Sequence, residues 1–349
     1  MFYKVLHVGP LGENLQGGIN EVLLSYRRAF GDKFNGFSSI KYNNKLINLL
    51  LFPLVILKFS IFLLVNKKIE IIHFHSASNG SFYRKSILFI IAKFIFSKKC
   101  VFQIHGGHFY AFFKKRKWIG AYVSFVFSKL DGIIFLVKEQ RSQFIEELSL
   151  NNTYLINNII DFREYEAQKE NTTIKLLFLG KITPAKGIFD LVDSVKENKD
   201  YLLGKIQIIV GGSGDDIKLK DLIKTNGLEN IILFRGWLKG SSKVNAYKES
   251  DIIILPSYTE AMPMSILEGM SYSMPVIATP VGSIPEFVQN NQNGILIQIK
   301  NKKAILEAID YYIKNSDKII DHGKKSYEIS KNYFPDIFMQ KISNIYMDL

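Results

Sequence analysis

Two carboxylates, Glu260 and Glu268, stand with seven residues between them inside the stretch Asp251 to Glu286. An ionised carboxylate accepts hydrogen bonds through two oxygens and donates none. Asp251 to Pro256 is an apolar run bounded by an acid and a proline, which predicts a buried parallel strand ending at Leu255. Ser257-Tyr258-Thr259-Glu260 is a polar loop. A helix is expected to open near Met262, with Pro263 in its first turn, where a missing N–H costs nothing. Glu268 then falls on the second turn, and Pro275-Val276-Ile277 restarts the sheet. Both acids therefore sit at the carboxyl edge of a strand, beside free helix N–H groups. In open α/β sheets ligands bind at that edge, and a helix N-terminus favours anionic groups such as phosphate. His105 is a further candidate, at the carboxyl end of the predicted strand Cys100 to Ile104. Gly17-Gly18 precedes a helix expected to open at Ile19, and glycines there let backbone approach a ligand closely.

The elements that must position these groups alternate strand and helix, which reads as doubly wound parallel sheets. Strands are expected at Met1 to Gly9, Phe34 to Tyr42, Ile69 to His75, Cys100 to Ile104 and Asp131 to Val137. Polar residues 162–173 form a linker. A second series follows at Ile174 to Leu179, Lys205 to Val210 and residues 230–236, before the central stretch. From Lys300 the chain reads helical, and its last segment, Phe334 to Leu349, is amphipathic through Ile337, Phe338, Ile342, Ile345 and Tyr346.

Two glutamates alone carry little information, but the ordered set around them carries more. Leu255-Pro256-Ser257, Met262-Pro263, Pro275-Val276-Ile277-Ala278 and Gly282-Ser283-Ile284-Pro285-Glu286 together resemble the signature of glycosyltransferase family 4. Gly180-Lys181 and Lys186-Gly187 resemble that family's glycine-arginine and lysine-glycine pair, with lysine where arginine is usual. Lysine keeps the charge without the planar fork that grips two oxygens. Gly211-Gly212-Ser213-Gly214 resembles its second glycine-rich loop, and Phe234-Arg235-Gly236 its segment at the nucleotide base. Asn157-Asn158-Ile159-Ile160-Asp161 matches only in Asn158 and Asp161.

The resemblance implies an α/β protein of GT-B fold, with two Rossmann-like doubly wound domains facing across a cleft. Residues 1–165 would be the acceptor-binding domain and 166–330 the nucleotide-sugar-binding domain. Residues 331–349 would form a closing helix on the N-terminal domain. It implies a retaining hexosyltransferase moving a hexose or N-acetylhexosamine from a nucleotide diphosphate sugar to a glycan or lipid-linked saccharide, in surface polysaccharide synthesis. Glu260, His105 and Lys186 would be catalytic. The donor would be bound by Gly17, Gly18, Lys181, Lys186, Gly236, Glu260, Ala261, Met262, Pro263, Met264 and Glu268. Glu268 would hold the ribose, and the two lysines the diphosphate. A UDP-sugar is favoured over a GDP-sugar, no other cofactor is needed, and no metal is expected. An epimerase of the same fold, or a non-catalytic nucleotide-sugar-binding partner, would share much of this pattern. A nicotinamide oxidoreductase would need a dinucleotide fingerprint, which is missing.

Composition bounds the remaining choices. At 349 residues, two domains are the prior. The one cysteine, Cys100, excludes a disulfide framework and reads as buried filler. His73 and His75 share a strand face without acids or further ligands beside them. Residues 1–165 carry 22 Lys+Arg against 10 Asp+Glu, whereas residues 166–349 are nearly neutral at 23 against 22. With no nucleic-acid motif, the basic half points to a peripheral membrane surface, and to a cytoplasmic enzyme on the inner face of the membrane. The N-terminus is a strand pattern with no signal-peptide cleavage site. Leu46 to Val65 is mostly apolar but holds Asn48, Pro53, Lys58 and Ser60, and is expected to be a soluble-domain helix partly exposed to lipid. Lys114 to Lys117, bracketed by Phe109, Tyr110, Phe112, Phe113, Trp118 and Tyr122, is expected to form a lysine-and-aromatic patch at the lipid surface.

Overall fold

The computed structural model describes residues 1–166 and 172–349. Contacts divide it into two units, Met1–Asp161 with Tyr333–Leu349, and Phe162–Asn332. Of the linker expected over 162–173, residues 167–171 lie outside the described residues.

The first unit is a six-stranded parallel sheet of β1 (Val5–Gly9), β2 (Asn35–Ser38), β3 (Ile71–Ser76), β4 (Lys99–Ile104), β5 (Gly132–Phe135) and β6 (Thr153–Leu155). Their order is β2-β1-β3-β4-β5-β6. β1 and β3 are buried along their whole length, as inner strands of a parallel sheet are, with His7, His73 and His75 among the buried residues. The edge strand β2 is shorter than the expected Phe34 to Tyr42 and only half buried. The helix Pro335–Asp348 completes this unit's core with Phe338, Ile342, Ile345 and Tyr346. Tyr346 Oη lies 2.6 Å from His73 Nδ1.

The apolar segment Leu46 to Val65 is two helices, Lys45–Leu50 and Phe52–Val65. Asn44 caps the first through the N–H groups of Leu46 and Ile47, and Pro53 sits in the first turn of the second. Among the described residues no helix is long and apolar enough to cross a membrane. Phe52, Phe59 and Leu63 are buried, while Leu46, Leu49, Leu50, Leu54, Leu57, Ile61 and Leu64 are between 46% and 80% exposed. This outward leucine face is where the unit is most apolar toward solvent. The expected patch around Lys114 differs: Phe109, Phe112 and Phe113 are core residues, and Lys114 pairs with Glu147 at 2.5 Å. Only Trp118 of its aromatics is largely exposed, because the helix Phe109–Lys114 turns its apolar face onto Phe82 and Phe144.

The second unit is a six-stranded parallel sheet of β7 (Ile174–Leu179), β8 (Ile206–Gly211), β9 (Ile232–Phe234), β10 (Ile252–Leu255), β11 (Val276–Ala278) and β12 (Gly294–Leu296). Its order is β12-β11-β10-β7-β8-β9. The chain runs outward from β7 to β9, then returns to lay β10 on the other side of β7. The point of reversal, between β7 and β10, is where doubly wound sheets open a crevice for ligands.

Candidate active site

The loops leaving β7 and β10 flank that reversal point, and backbone contacts hold them together. Gly187 has φ +68°, and a Cβ there would lie 1.9 Å from the Pro256 carbonyl oxygen. Tyr258 N–H donates to Ala185 O at 2.8 Å. On the other side, Ile182 N–H donates to Ser213 O at 3.0 Å, and a Cβ on Gly212 would lie 1.9 Å from Gly180 O. The glycines read in the sequence thus let three loops meet closer than any side chain would permit.

This positions the charged groups. Lys186 Nζ lies 2.5 Å from Glu260 Oε1, and Ser257 Oγ donates to the same oxygen at 2.8 Å. Glu260 is the better buried of the ion pair, with 8% of its side chain exposed against 25% for Lys186. Lys181 is exposed at the mouth of the β7 loop. The Glu260–Ala261 turn is braced from behind by Gly282, where a Cβ would lie 2.3 Å from Glu260 O. Ser283 donates through both N–H, at 2.9 Å, and Oγ, at 2.8 Å, to Ala261 O.

The helix after this loop is Met264–Ser271, two residues later than expected. Pro263 is its N-cap in extended conformation, not part of its first turn, and Ala261 before it is held through its carbonyl by Ser283. Among the described residues no side chain caps this helix. Its first N–H groups are available to an anion. Ala261, Met262, Pro263 and Met264 are themselves buried.

Glu268, one turn along, is held by two residues the sequence reading missed. Lys243 Nζ approaches its two oxygens at 2.9 and 2.8 Å, and Tyr247 Oη donates at 2.6 Å. Lys243 and Tyr247 stand four apart on the helix Gly240–Lys248, so both reach one carboxylate. That spacing was the available signal. Two oxygens offer about four acceptor directions, so Glu268 retains capacity for ligand hydroxyls. Gly236 has φ +68°, and its carbonyl accepts from Gly212 N–H at 2.8 Å, which fixes the β9 turn beside the glycine-rich loop.

In the first unit, Gly17 (φ +124°) and Gly18 begin the helix Gly18–Phe30. Asn20 locks the preceding loop by accepting from Gly12 N–H at 3.0 Å and donating to Leu15 O at 2.8 Å. His105 leaves β4 with Nε2 3.0 Å from His75 Nδ1, and His75 Nε2 is 3.2 Å from His7 Nδ1. His73 and His75 were read as having no further ligand nearby, yet His7 joins them, with ring nitrogens within 4.8 Å of one another. No carboxylate belongs to this group. Burial pushes His7 and His105 down to about 3, so the rings are neutral. Each neutral ring donates through one nitrogen and accepts through the other, so the chain of rings ties His105 through His75 to His7 and holds its ring in place. Cys100 is buried, and burial pushes its thiol well up, as inert filler requires.

Comparison with known proteins adds to this geometry. Residues 161–330 match the family described as Glycosyl transferases group 1. An uncharacterized glycosyltransferase of Methanocaldococcus jannaschii, MJ1607, is 27% identical over 175 residues, 49% of this chain and 44% of that protein, so the chain spans less than half of it. The Escherichia coli UDP-Gal:alpha-D-GlcNAc-diphosphoundecaprenol alpha-1,3-galactosyltransferase is 25% identical over 320 residues, 82% of this chain and 77% of that one. The crystal structure of Anabaena Alr3699/HepE in complex with UDP is similar with a TM-score of 0.79 at 17% identity, covering 99% of this chain and 100% of that one.

Proposed function

From the premise that residues 161–330 belong to the glycosyl transferases group 1 family, and that the chain is a glycosyltransferase of GT-B fold, we propose its reaction. It moves a hexose or N-acetylhexosamine from a nucleotide diphosphate sugar, UDP-linked in preference to GDP-linked, to a glycan or lipid-linked saccharide, with retention of configuration. The observation that carries this reading is the Lys186–Glu260 pair beside the uncapped helix Met264–Ser271, with Glu268 oriented one turn along. Lys186 and Lys181 take the diphosphate, whose charge grows as the bond to the sugar breaks. Stabilising a growing charge with groups already in place is commonly the largest catalytic term. Glu268 accepts from the ribose hydroxyls, while Glu260 and the N–H groups after it hold the sugar. On the first unit, His105 and the Gly17–Gly18 loop serve the same reaction. Lysines and a helix terminus supply the positive charge, so the reading includes no metal and no further cofactor. The relative from Escherichia coli and the UDP complex of the Anabaena protein support a UDP-sugar and a lipid-linked acceptor.

A thermal-shift series with UDP, GDP and ADP tests the donor site. UDP is expected to raise the melting temperature most. Glu268→Ala should weaken UDP binding by roughly 10- to 100-fold, as losing hydrogen bonds to a charged acceptor does. Unchanged binding in that variant would remove Glu268 from the site. UDP release from a UDP-sugar should require an acceptor. Free altered sugar without an acceptor would point to an epimerase instead, and no release at all to a binding partner.

The enzyme acts peripherally at an anionic cytoplasmic membrane face. The leucine face of residues 45–65 and the exposed lysines Lys45, Lys58, Lys67 and Lys68 beside it suit that partner, with leucines in the interface and each cation contributing about 1 kcal/mol. Leu54→Ser with Leu57→Ser and Ile61→Ser should release the protein from vesicles of acidic phospholipid without changing its melting temperature. Retention on those vesicles would exclude this face as the contact.

A further inference from the structure

Lys85 is 1% exposed, on the helix Gly80–Ile90 that follows β3. Its ammonium donates to the Ser81 hydroxyl at 3.0 Å and meets no carboxylate among the described residues. A long helical side chain points back toward the N-terminus, and Ser81, one turn earlier, marks where this one ends. The charge therefore lies at the carboxyl edge of the first sheet. Ser81 Oγ also accepts from Ala77 N–H at 3.3 Å, and Gly106 lies against Ala77 and Ser78. Arg84 adds a second cation: its Nε is buried without a hydrogen-bond partner, and its Nη1 folds back to within 3.2 Å of where a Gly80 Cβ would be. The nearest titratable neighbours are histidines, which burial keeps neutral, so they supply no anion.

A buried ammonium without a counter-charge is expensive, and proteins rarely keep one without use for it. Burial, then Arg84, brings Lys85 down to about 7, a group that an arriving anion would charge fully. Asn79 forms no side-chain cap, so the N–H groups of Gly80 and Ser81 also lack a protein acceptor among the described residues. Two cations folded back onto the first turn of one helix match a doubly charged oxyanion better than a sugar hydroxyl.

We propose that Lys85, Arg84 and the start of the helix Gly80–Ile90 form a phosphate-binding site for a phosphorylated acceptor. The phosphate site stands on the geometry, and its assignment to an acceptor rests on the glycosyl-transfer reading. The donor's diphosphate already has Lys181 and Lys186 in the second unit. The acceptor is then a saccharide whose phosphate or diphosphate link is recognised along with the sugar.

Inorganic pyrophosphate titrated into UDP-saturated protein reads the site without any transfer. Lys85→Met keeps the side-chain length and removes a buried charge, so its melting temperature should equal or exceed that of the wild type. It should bind pyrophosphate at least about 10-fold more weakly. The KM for a polyprenyl-diphosphate-linked saccharide should rise by a similar factor, while the KM for the UDP-sugar and for the dephosphorylated saccharide stay level. Arg84→Gln should give a smaller loss of the same kind. Unchanged pyrophosphate binding, or a lowered melting temperature with unchanged KM values, would overturn the site and leave Lys85 a structural residue. A rise in the UDP-sugar KM instead would overturn the acceptor assignment in favour of the nucleotide. Loss of pyrophosphate binding in Lys85→Met, in a protein that transfers no sugar, would keep the site and sink the glycosyl-transfer reading.

Discussion

Lys186→Ala is expected to lower the turnover of sugar transfer by on the order of 10²–10³-fold, the usual loss when one pre-placed stabiliser of a developing charge is removed. Only contacts that strengthen on the way to the transition state accelerate the step. A lysine at the donor diphosphate is such a contact, because that group gains charge as the sugar departs. Lys186 rests on Glu260 at 2.5 Å, with Ser257 on the same oxygen. The pair holds the ammonium at the loop that leads into the helix Met264–Ser271. The KM for the UDP-sugar should change far less than the turnover, and Lys186→Arg should recover part of the loss. A single-turnover assay checks both. Wild-type turnover in Lys186→Ala would remove this residue from the chemistry.

Gly187→Ala should damage the second unit more than any other single methyl group. The residue sits at φ +68°, a left-handed conformation, and its new Cβ would lie 1.9 Å from the Pro256 carbonyl oxygen. The dihedral alone costs roughly 1–2 kcal/mol and the overlap roughly 1–3 kcal/mol more. A fall in melting temperature of at least about 4 °C is expected for a unit of this size. The β7 loop must also back away from β10, carrying Lys186 from Glu260, so activity should fall further than stability explains. An unaltered melting temperature would mean that the two loops do not meet in this way. Gly236→Ala offers a contrast: φ is equally positive there, but nothing lies within 4 Å of the added carbon. It should carry the dihedral cost without the overlap.

How much of this was legible in the residues follows from what is local. The run Asp251 to Leu255, its polar loop and the helix behind it were readable because each is a continuous segment with its own period and punctuation. The Lys186–Glu260 contact was not legible, although each residue was singled out by resemblance. It depends on β10 returning to β7 across the sheet, and strand order has no signature in a short window. Lys243 and Tyr247 were passed over because a lysine and a tyrosine on an otherwise polar helix look like surface residues until Glu268 is placed beneath them. The aromatics near Lys114 misled for the opposite reason. Phenylalanines beside cations suit a lipid surface or a core equally, and only the packing of Phe109 and Phe113 against Phe144 decides. His7 could not be tied to His75, because its partner lies 68 residues away on a strand that becomes its neighbour only in the folded sheet.

The first unit is discontinuous: it needs Phe338, Ile342 and Tyr346 from the far end of the chain, and Tyr346 seats on His73 in the middle of the sheet. A ribosome making this protein therefore releases the pieces out of step. The later-synthesised half, Phe162–Asn332, is contiguous and can close as soon as it emerges. The half begun first must wait, with the His73 side of its sheet uncovered, until translation reaches the last helix. A nascent chain stalled before residue 333 should accordingly recruit holdase chaperones through its amino-terminal half, even after its second unit has become protease-resistant.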